Sequence, residues 1–378
     1  MIYLTYADPP SGVFSSQVND VVNHLNKNLN AKIRLVTFIS MRDFRKNKIK
    51  IRNEVADAIV LPMLPKANYW KFSILVFMLV CFLLGEKIVI ARGVLACSVA
   101  LGVKNSGIIK KVCYDGRGAI AAEWEEYKVA PYKNLINTIE QLEENAVMKT
   151  NFRIAVSTKL VDYWKERFKY ESDEHAVIPC TLNSDFKPVL ISEKEKHEAE
   201  TELGFNQDDL ILVYSGSVSG WQSFGILKEF LAPFLEENKK NKILFMSGKD
   251  ENINKLMDEF PGQVKNKWAA HKDIQKILSA CDYGILIREK SVTNKVASPT
   301  KFAEYLSAGL KVLISEEIGD YSDFVRINNC GIVMKSGDKI TLEKISTETK
   351  QKLVELVIKY FSKQSQDSNY QKLISSLN

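Results

Sequence analysis

The feature that most constrains this chain is an alternation of short apolar runs with helix-like stretches that runs through the first half, breaks off, and begins again. Residues 2–6, 33–38, 59–61, 87–91, 112–114 and 152–156 read as strands, and residues 17–29 and 135–148 carry helical spacing. Such alternation implies a parallel sheet covered by helices, because parallel neighbours need a crossover and a helix usually supplies it. The charged stretch 192–204 then reads as a short solvated helix near a domain boundary, after Pro179 and Pro188. Beyond it the pattern resumes. Strands are expected at 210–214, 243–247 and 283–287, and helices at 224–236, 273–280 and 349–361. A chain of 378 residues exceeds what one core normally holds, so two domains are expected.

The composition, 46% hydrophobic and 26% charged, is that of a globular protein. The net charge of +6 suits phosphate-bearing ligands or an anionic membrane surface but is too scattered to argue for nucleic acid. The 6 cysteines form no C-x-x-C pair, and most lie in apolar runs, which points to buried free thiols in a reducing compartment. The 4 histidines have no metal-ligand spacing, so no metal site is expected. The opening MIYLTYADPP lacks a basic region before an apolar one, so a cytoplasmic location without a signal peptide is expected. The longest apolar run, 72–84 between Lys71 and Glu86, falls short of the roughly 20 residues that span a bilayer. It reads as a buried core helix. Tyr69 and Trp70 beside Lys66 and Lys71 keep open a second reading, insertion of its edge into a membrane interface.

Residues 298–315, SPTKFAEYLSAGLKVLIS, read as a helix feeding a buried strand. Ser298 suits the N-cap, Pro299 the first helical position and Gly309 the left-handed cap at the far end. Val312, Leu313 and Ile314 form the apolar run of a parallel strand. Lys301 and Glu304 share one helix face, in the order less favourable to the helix dipole, which weakens a simple surface ion pair as their reason. The loop Ser215-Gly216-Ser217-Val218-Ser219-Gly220 lies between a strand and a helix, where small residues let backbone N–H groups approach a phosphate. An ordinary turn is the alternative. No cation follows this loop before Lys228. Arg288, just past strand 283–287, is the candidate to grip a diphosphate bidentately, against a plain surface cluster with Glu289. Lys295 and Lys301 are further candidates for neutralising a leaving group. Trp124, Tyr127 and Tyr132 could stack on sugars but read more readily as core, and His271 is given no role.

The 298–315 segment resembles the donor-site motif of the GT-B glycosyltransferases, especially the retaining glycosyltransferase family 4. There a Pro-x-Lys-x-x-Glu-Tyr run precedes a glycine and a short apolar strand. The match is Pro299, Lys301, Glu304, Tyr305, Gly309 and Val312. Where many members carry an acid eight positions before the Glu, this chain has Val296. In the first half, Asp115-Gly116-Arg117-Gly118 with Glu123 is similar to an Asp-x-Arg-Gly…Glu stretch of bacterial polysaccharide members. Ala155-Val156-Ser157 and Ile178-Pro179-Cys180 are similar to signatures that follow it. The loop 9–14, with Gly12, resembles the family's glycine-containing loop over the acceptor and the transferred sugar, with its second glycine absent.

The resemblance implies an α/β fold of GT-B type, two Rossmann-like domains facing each other across a cleft. It implies an acceptor domain at 1–188, a nucleotide-sugar domain at 189–350, and a last segment, 351–378, returning toward the first domain. The implied activity is retaining, metal-independent hexosyl transfer from a nucleotide sugar to a glycan, in particular a lipid-linked polysaccharide precursor, at the inner face of the plasma membrane. Donor-binding residues would be Glu304 (on the ribose), Lys301, Arg288, Gly216, Ser217 and Pro299. Acceptor-side candidates are Gly12, Asp115, Arg117 and Glu123, with an internal Asp115–Arg117 structural pair rated ahead of a direct role. No nucleophile is implied, and no cofactor beyond the nucleotide-sugar substrate. Two rivals stand beside this reading: a binding or scaffold protein with a degenerate donor site, and a UDP-sugar 2-epimerase, for which no matching histidine and carboxylate set is found. A nicotinamide enzyme is disfavoured because no G-x-G-x-x-G opens either half.

Overall fold

The computed structural model describes residues 1–64, 67–129, 133–216, 224–335, 338 and 341–378. The chain divides into two units. The first comprises Met1–Ser184, Val296–Ser298 and Lys363–Asn378; the second comprises Asp185–Lys295 and Pro299–Ser362. Sequence reasoning put the boundaries at 188 and 351; the chain changes unit after Ser184 and at Lys363, so the helix Thr347–Tyr360 stays with the second unit.

The first unit holds a 7-stranded sheet of order β3-β2-β1-β4-β5-β6-β7. Its strands are β1 (Ile2–Tyr6), β2 (Arg34–Ser40), β3 (Ile59–Met63), β4 (Ile88–Arg92), β5 (Lys111–Gly116), β6 (Phe152–Ala155) and β7 (His175–Val177). Every neighbouring pair is parallel. These strands are nearly continuous apolar runs because both faces are covered. One face packs Tyr3, Val18, Val22 and Leu35 with Tyr370, Leu373 and Leu377 of the last helix, Asp367–Leu377. The other packs Leu4, Val36, Val89 and Val112 with Val99 and Val103 of the helix Gly93–Asn105 and with Trp164. The helix Gly93–Asn105 was not anticipated, because a helix apolar on most sides shows no helical periodicity.

The second unit holds a 6-stranded sheet of order β10-β9-β8-β11-β12-β13. Its strands are β8 (Leu210–Ser215), β9 (Asn241–Met246), β10 (Val264–Asn266), β11 (Tyr283–Leu286), β12 (Lys311–Ser315) and β13 (Gly331–Met334). All pairs are again parallel. In each sheet the strand order runs one way and then reverses, between β1 and β4 in the first and between β8 and β11 in the second. Loops diverge at such a reversal, so ligand crevices open outside the carboxyl ends of those two strands.

Two expectations are corrected. The run 72–84 does form a helix, Phe72–Leu84, but only Ser73, Phe77 and Cys81 are buried. It packs on the helix Gly93–Asn105, where Gly102 leaves room for Ile74: a Cβ there would lie 2.6 Å from the Ile74 side chain. Its outer face stays exposed, so it is not a core helix. The helix after Ser298 begins one residue later than expected. It spans Thr300–Ser307 with Pro299 as N-cap, and the Ser298 hydroxyl instead accepts the Cys180 amide at 2.8 Å. Gly309 does adopt the left-handed cap, at φ +76°, and all 6 cysteines are buried free thiols.

Candidate functional site

In the second unit, β8 and β11 pair only through Tyr283–Leu212 and Gly284–Val213. Beyond that they separate. The Tyr305 hydroxyl occupies the gap, accepting the Ser215 amide at 2.9 Å and donating to the Ile285 carbonyl at 3.4 Å. Its ring lies over Gly284, where a Cβ would come within 2.2 Å of it, so the glycine is required by close approach. Burial pushes the Tyr305 phenol well up, with the Ser215 amide opposing, so it stays a neutral donor and acceptor.

Above this bridge lies a pocket of about 170 Å³. Tyr214, Ser215 and Gly216 line it from β8, Ile285 to Arg288 from β11, and Pro299, Thr300 and Lys301 from the start of the next helix. Gly216 turns the chain at φ +152°, a conformation that L side chains rarely adopt. The Arg288 amide donates to Ser315 Oγ at 2.8 Å, and its guanidinium donates to Asn294 Oδ1 at 3.3 Å. Burial pushes the Tyr214 phenol up, and the nearby Arg288 charge opposes that rise. The pocket therefore meets Arg288, Lys301 and the positive end of the helix Thr300–Ser307, with no acidic side chain among the described residues that line it.

Glu304 stands one turn further along that helix and is ion-paired with Lys301 at 2.7 Å, both partly shielded from solvent. Sequence order had counted against this pair; the structure forms it. Lys295 is exposed at the end of the helix Val292–Lys295. Val296, where the family acid would stand, is buried among apolar side chains of the first unit. Ser217, with the rest of its loop to residue 223, and Tyr132 lie outside the described residues.

In the first unit, the reversal between β1 and β4 brings Asp8 and Arg92 together at 3.5 Å. Arg92 also lies 3.7 Å from Asp115. Arg117 Nε approaches Asp115 Oδ1 to 2.8 Å, and its terminal nitrogen donates to Oδ2 at 2.9 Å. The Tyr3 hydroxyl donates to the same carboxylate. Asp115 is fully buried and anchors both arginines. Burial pushes the Asp8 carboxyl up, and Arg92 and Arg117 pull it back. Gly12 opens the short helix Gly12–Phe14, with open space where a Cβ would stand. Glu123 lies on the helix Ile120–Glu126, and burial followed by Glu126 raises its carboxyl. Arg92 went unremarked in the sequence. Its signal was a cation closing an apolar run, the same signal that marked Arg288, and the two residues end or follow equivalent strands of the two sheets.

No protein-family model and no curated protein sequence matches the chain. Solved structures do. Over all of both chains, this one is similar to Anabaena HepE (Alr3699) in complex with UDP and glucose, with a TM-score of 0.71 at 13% identity. It is similar, again over all of both chains, to WaaG, a glycosyltransferase of lipopolysaccharide biosynthesis, with a TM-score of 0.64 at 12% identity. The chain has the GT-B fold. GT-B architecture accounts for two parallel Rossmann-like sheets, each with its own reversal. A putative UDP-N-acetylglucosamine 2-epimerase from Listeria monocytogenes is also similar, over all of this chain and 91% of its own, with a TM-score of 0.53 at 10% identity. The GT-B fold therefore hosts more than one chemistry, and function has to be argued from the site.

Proposed function

We propose that this chain is a glycosyltransferase that binds a nucleotide sugar in its second unit and transfers the sugar to a glycan acceptor. The observation that carries this reading is the cationic pocket at the β8–β11 reversal, formed by Gly216, Arg288, Lys301 and a helix N-terminus. Glycosyl transfer is limited by negative charge developing on the departing nucleoside diphosphate, and fixed donors aimed at that charge lower the barrier. At about 170 Å³ the pocket matches the diphosphate portion, while small-molecule pockets of roughly 300–1,000 Å³ hold whole ligands. Base and sugar would then extend beyond it. Lys301 would exchange its Glu304 carboxylate for a phosphate, and Glu304, released, would accept the ribose hydroxyls.

HepE holds UDP and WaaG acts in lipopolysaccharide biosynthesis, in line with a nucleotide-sugar donor and a glycan acceptor, whereas a lipid-linked acceptor and the inner membrane face rest on the family resemblance. Retention, hexosyl specificity and independence of metal rest on the family resemblance. A degenerate donor site is the second reading, favoured by Val296 where family members carry an acid.

A thermal-shift panel of UDP, GDP, dTDP, ADP and CMP tests the reading, since a ligand of the folded state raises its melting temperature. One nucleoside diphosphate is expected to stabilise selectively. Arg288→Ala should weaken that diphosphate far more than its nucleoside, whereas Glu304→Ala should weaken both. No shift with any nucleotide would move the assignment to the degenerate site.

A further inference from the structure

The segment that leaves β1 departs twice from ordinary backbone. Ala7 sits at φ +63°, in the left-handed region that residues with a Cβ rarely adopt. Its amide is held by the Phe38 carbonyl of β2 at 2.9 Å, which fixes the turn. Further on, Ser15–Asn19 is a π-helix with Ser16, Gln17 and Asn19 buried. Gln17 donates to the Thr181 carbonyl at 2.7 Å, and Asn19 to Glu54 at 3.0 Å. Left-handed non-glycine residues and π-helical turns cluster at functional sites, because only surroundings that over-determine them keep them in place.

Backbone alone names no residue, but the turn at Ala7 delivers one. Asp8 follows it, at the carboxyl end of β1 and beside the reversal where a crevice opens. Its Oδ2 lies 3.5 Å from Arg92 Nε, too far for a strong hydrogen bond. Asp115 also faces Arg92, at 3.7 Å, but it is fully buried and already engaged by Arg117 and Tyr3. Asp8 keeps 40% of its side chain open, while Arg92 behind it keeps 10%. Asp115 therefore fixes the arginines, and Asp8 is the carboxylate left with room for a further partner.

Charge says what kind of partner fits. An anion would meet the Asp8 carboxylate and be repelled, whereas a neutral hydroxyl can donate to it. Burial raises the Asp8 pKa, Arg92 and Arg117 oppose the rise, and Asp115 adds to it. A carboxylate made more basic by burial is a better acceptor for a hydroxyl proton, and the arginines keep it ionised.

We propose that Asp8 receives the attacking hydroxyl of the sugar acceptor, accepting its hydrogen bond, and that Arg92 positions Asp8 for this. The inference deepens the glycosyl-transfer reading and rests on it. The donor pocket lies in the other unit, so the two can fail separately.

The test measures UDP released from UDP-glucose by the full chain, with water and then glycerol as the hydroxyl acceptor. If the thermal-shift panel selects another diphosphate, its glucose conjugate replaces UDP-glucose. Asp8→Asn keeps the size of the side chain and should lower the rate with both acceptors roughly a hundredfold, the cost of a misplaced nucleophile. Its diphosphate affinity and melting temperature should match wild type, because the ion pair is partly exposed and the donor pocket lies elsewhere. Asp8→Glu should recover part of the rate. The wild-type rate should fall at acid pH as Asp8 takes a proton, and Asp8→Asn should lose that limb. Arg92→Gln should move the limb to higher pH, since Asp8 then faces only Asp115 and Arg117. A pair that is merely structural would leave the limb where it was. Release by Asp8→Asn at the wild-type rate would overturn the proposal. So would a loss of diphosphate affinity as large as the loss of rate, or a wild type that binds the diphosphate but releases none with either acceptor. A chain that binds no nucleotide at all would instead remove the donor reading, and this inference with it.

Discussion

Tyr305 joins three parts of the second unit with one side chain. Its ring fills the space that Gly284 leaves on β11, and its hydroxyl bridges the Ser215 amide to the Ile285 carbonyl where the strands part. Tyr305→Phe keeps the ring and strands a buried N–H. A loss of roughly 1–3 kcal/mol in denaturant unfolding is expected. Nucleoside diphosphate affinity should fall with it, because the pocket begins at Ser215 and Gly216. An unchanged unfolding midpoint would show that the Ser215 amide finds another partner. Motif matching pointed to Glu304 and Lys301 at this scale. It did not give Tyr305 a role, because that role depends on a glycine 21 residues earlier in the chain.

At the scale of elements, the helix Ile120–Glu126 is capped from outside itself. The Glu143 carboxylate, on the helix Lys133–Lys149, accepts the Ile120 amide at 3.2 Å and the Ala121 amide at 2.8 Å. Glu143 is fully buried. Burial pushes its pKa from 4.5 up to about 7, although the two amides pull the other way. A folded-state pKa above the unfolded one means that stability is fully present below about pH 4.5 and is lost as pH rises through about 7. At 1.36 kcal/mol per pKa unit, the loss is on the order of 3 kcal/mol. Glu143→Gln should therefore flatten the fall in melting temperature between pH 5 and 8 (about those limits). A parallel fall in both proteins would assign it to other groups. The helix Phe72–Leu84 shows where reading by element fails. An uncharged helix has the same composition whether its outer face meets protein or something else, so burial could not be taken from hydrophobicity.

At the scale of the whole molecule, the last segment belongs to the first unit. Residues 363–378 return to it, and Leu373 and Leu377 are fully buried beside Cys113, Ile154 and Ala176 of β5, β6 and β7. Leu373→Ala should cost about 2–5 kcal/mol, the usual range for a buried leucine, read as a lower unfolding midpoint of the first unit. A change below 1 kcal/mol (about the cost of a tolerated repacking) would mean that the last helix is a dispensable cover.

The sequence by itself determined the architecture. Short apolar runs separated by helix-length stretches admit parallel sheets, and length divides them between two cores. It also placed the helix, its glycine cap and the strand of the 298–315 segment, because these are local patterns, although the N-cap fell one residue later than expected and the Lys301–Glu304 pair formed against the order of its charges. Tertiary structure alone decided the rest. Strand order set the two reversals, which put Arg288, already a candidate from the sequence, at the second and brought Arg92, unremarked there, to the first. Burial gave Asp115 a second arginine partner in Arg92 beside Arg117, and made Glu143 a titrating cap. The neighbours of a helix decided which of its faces met solvent. Each of these depends on residues far apart in the chain, and local patterning carries no record of such distances.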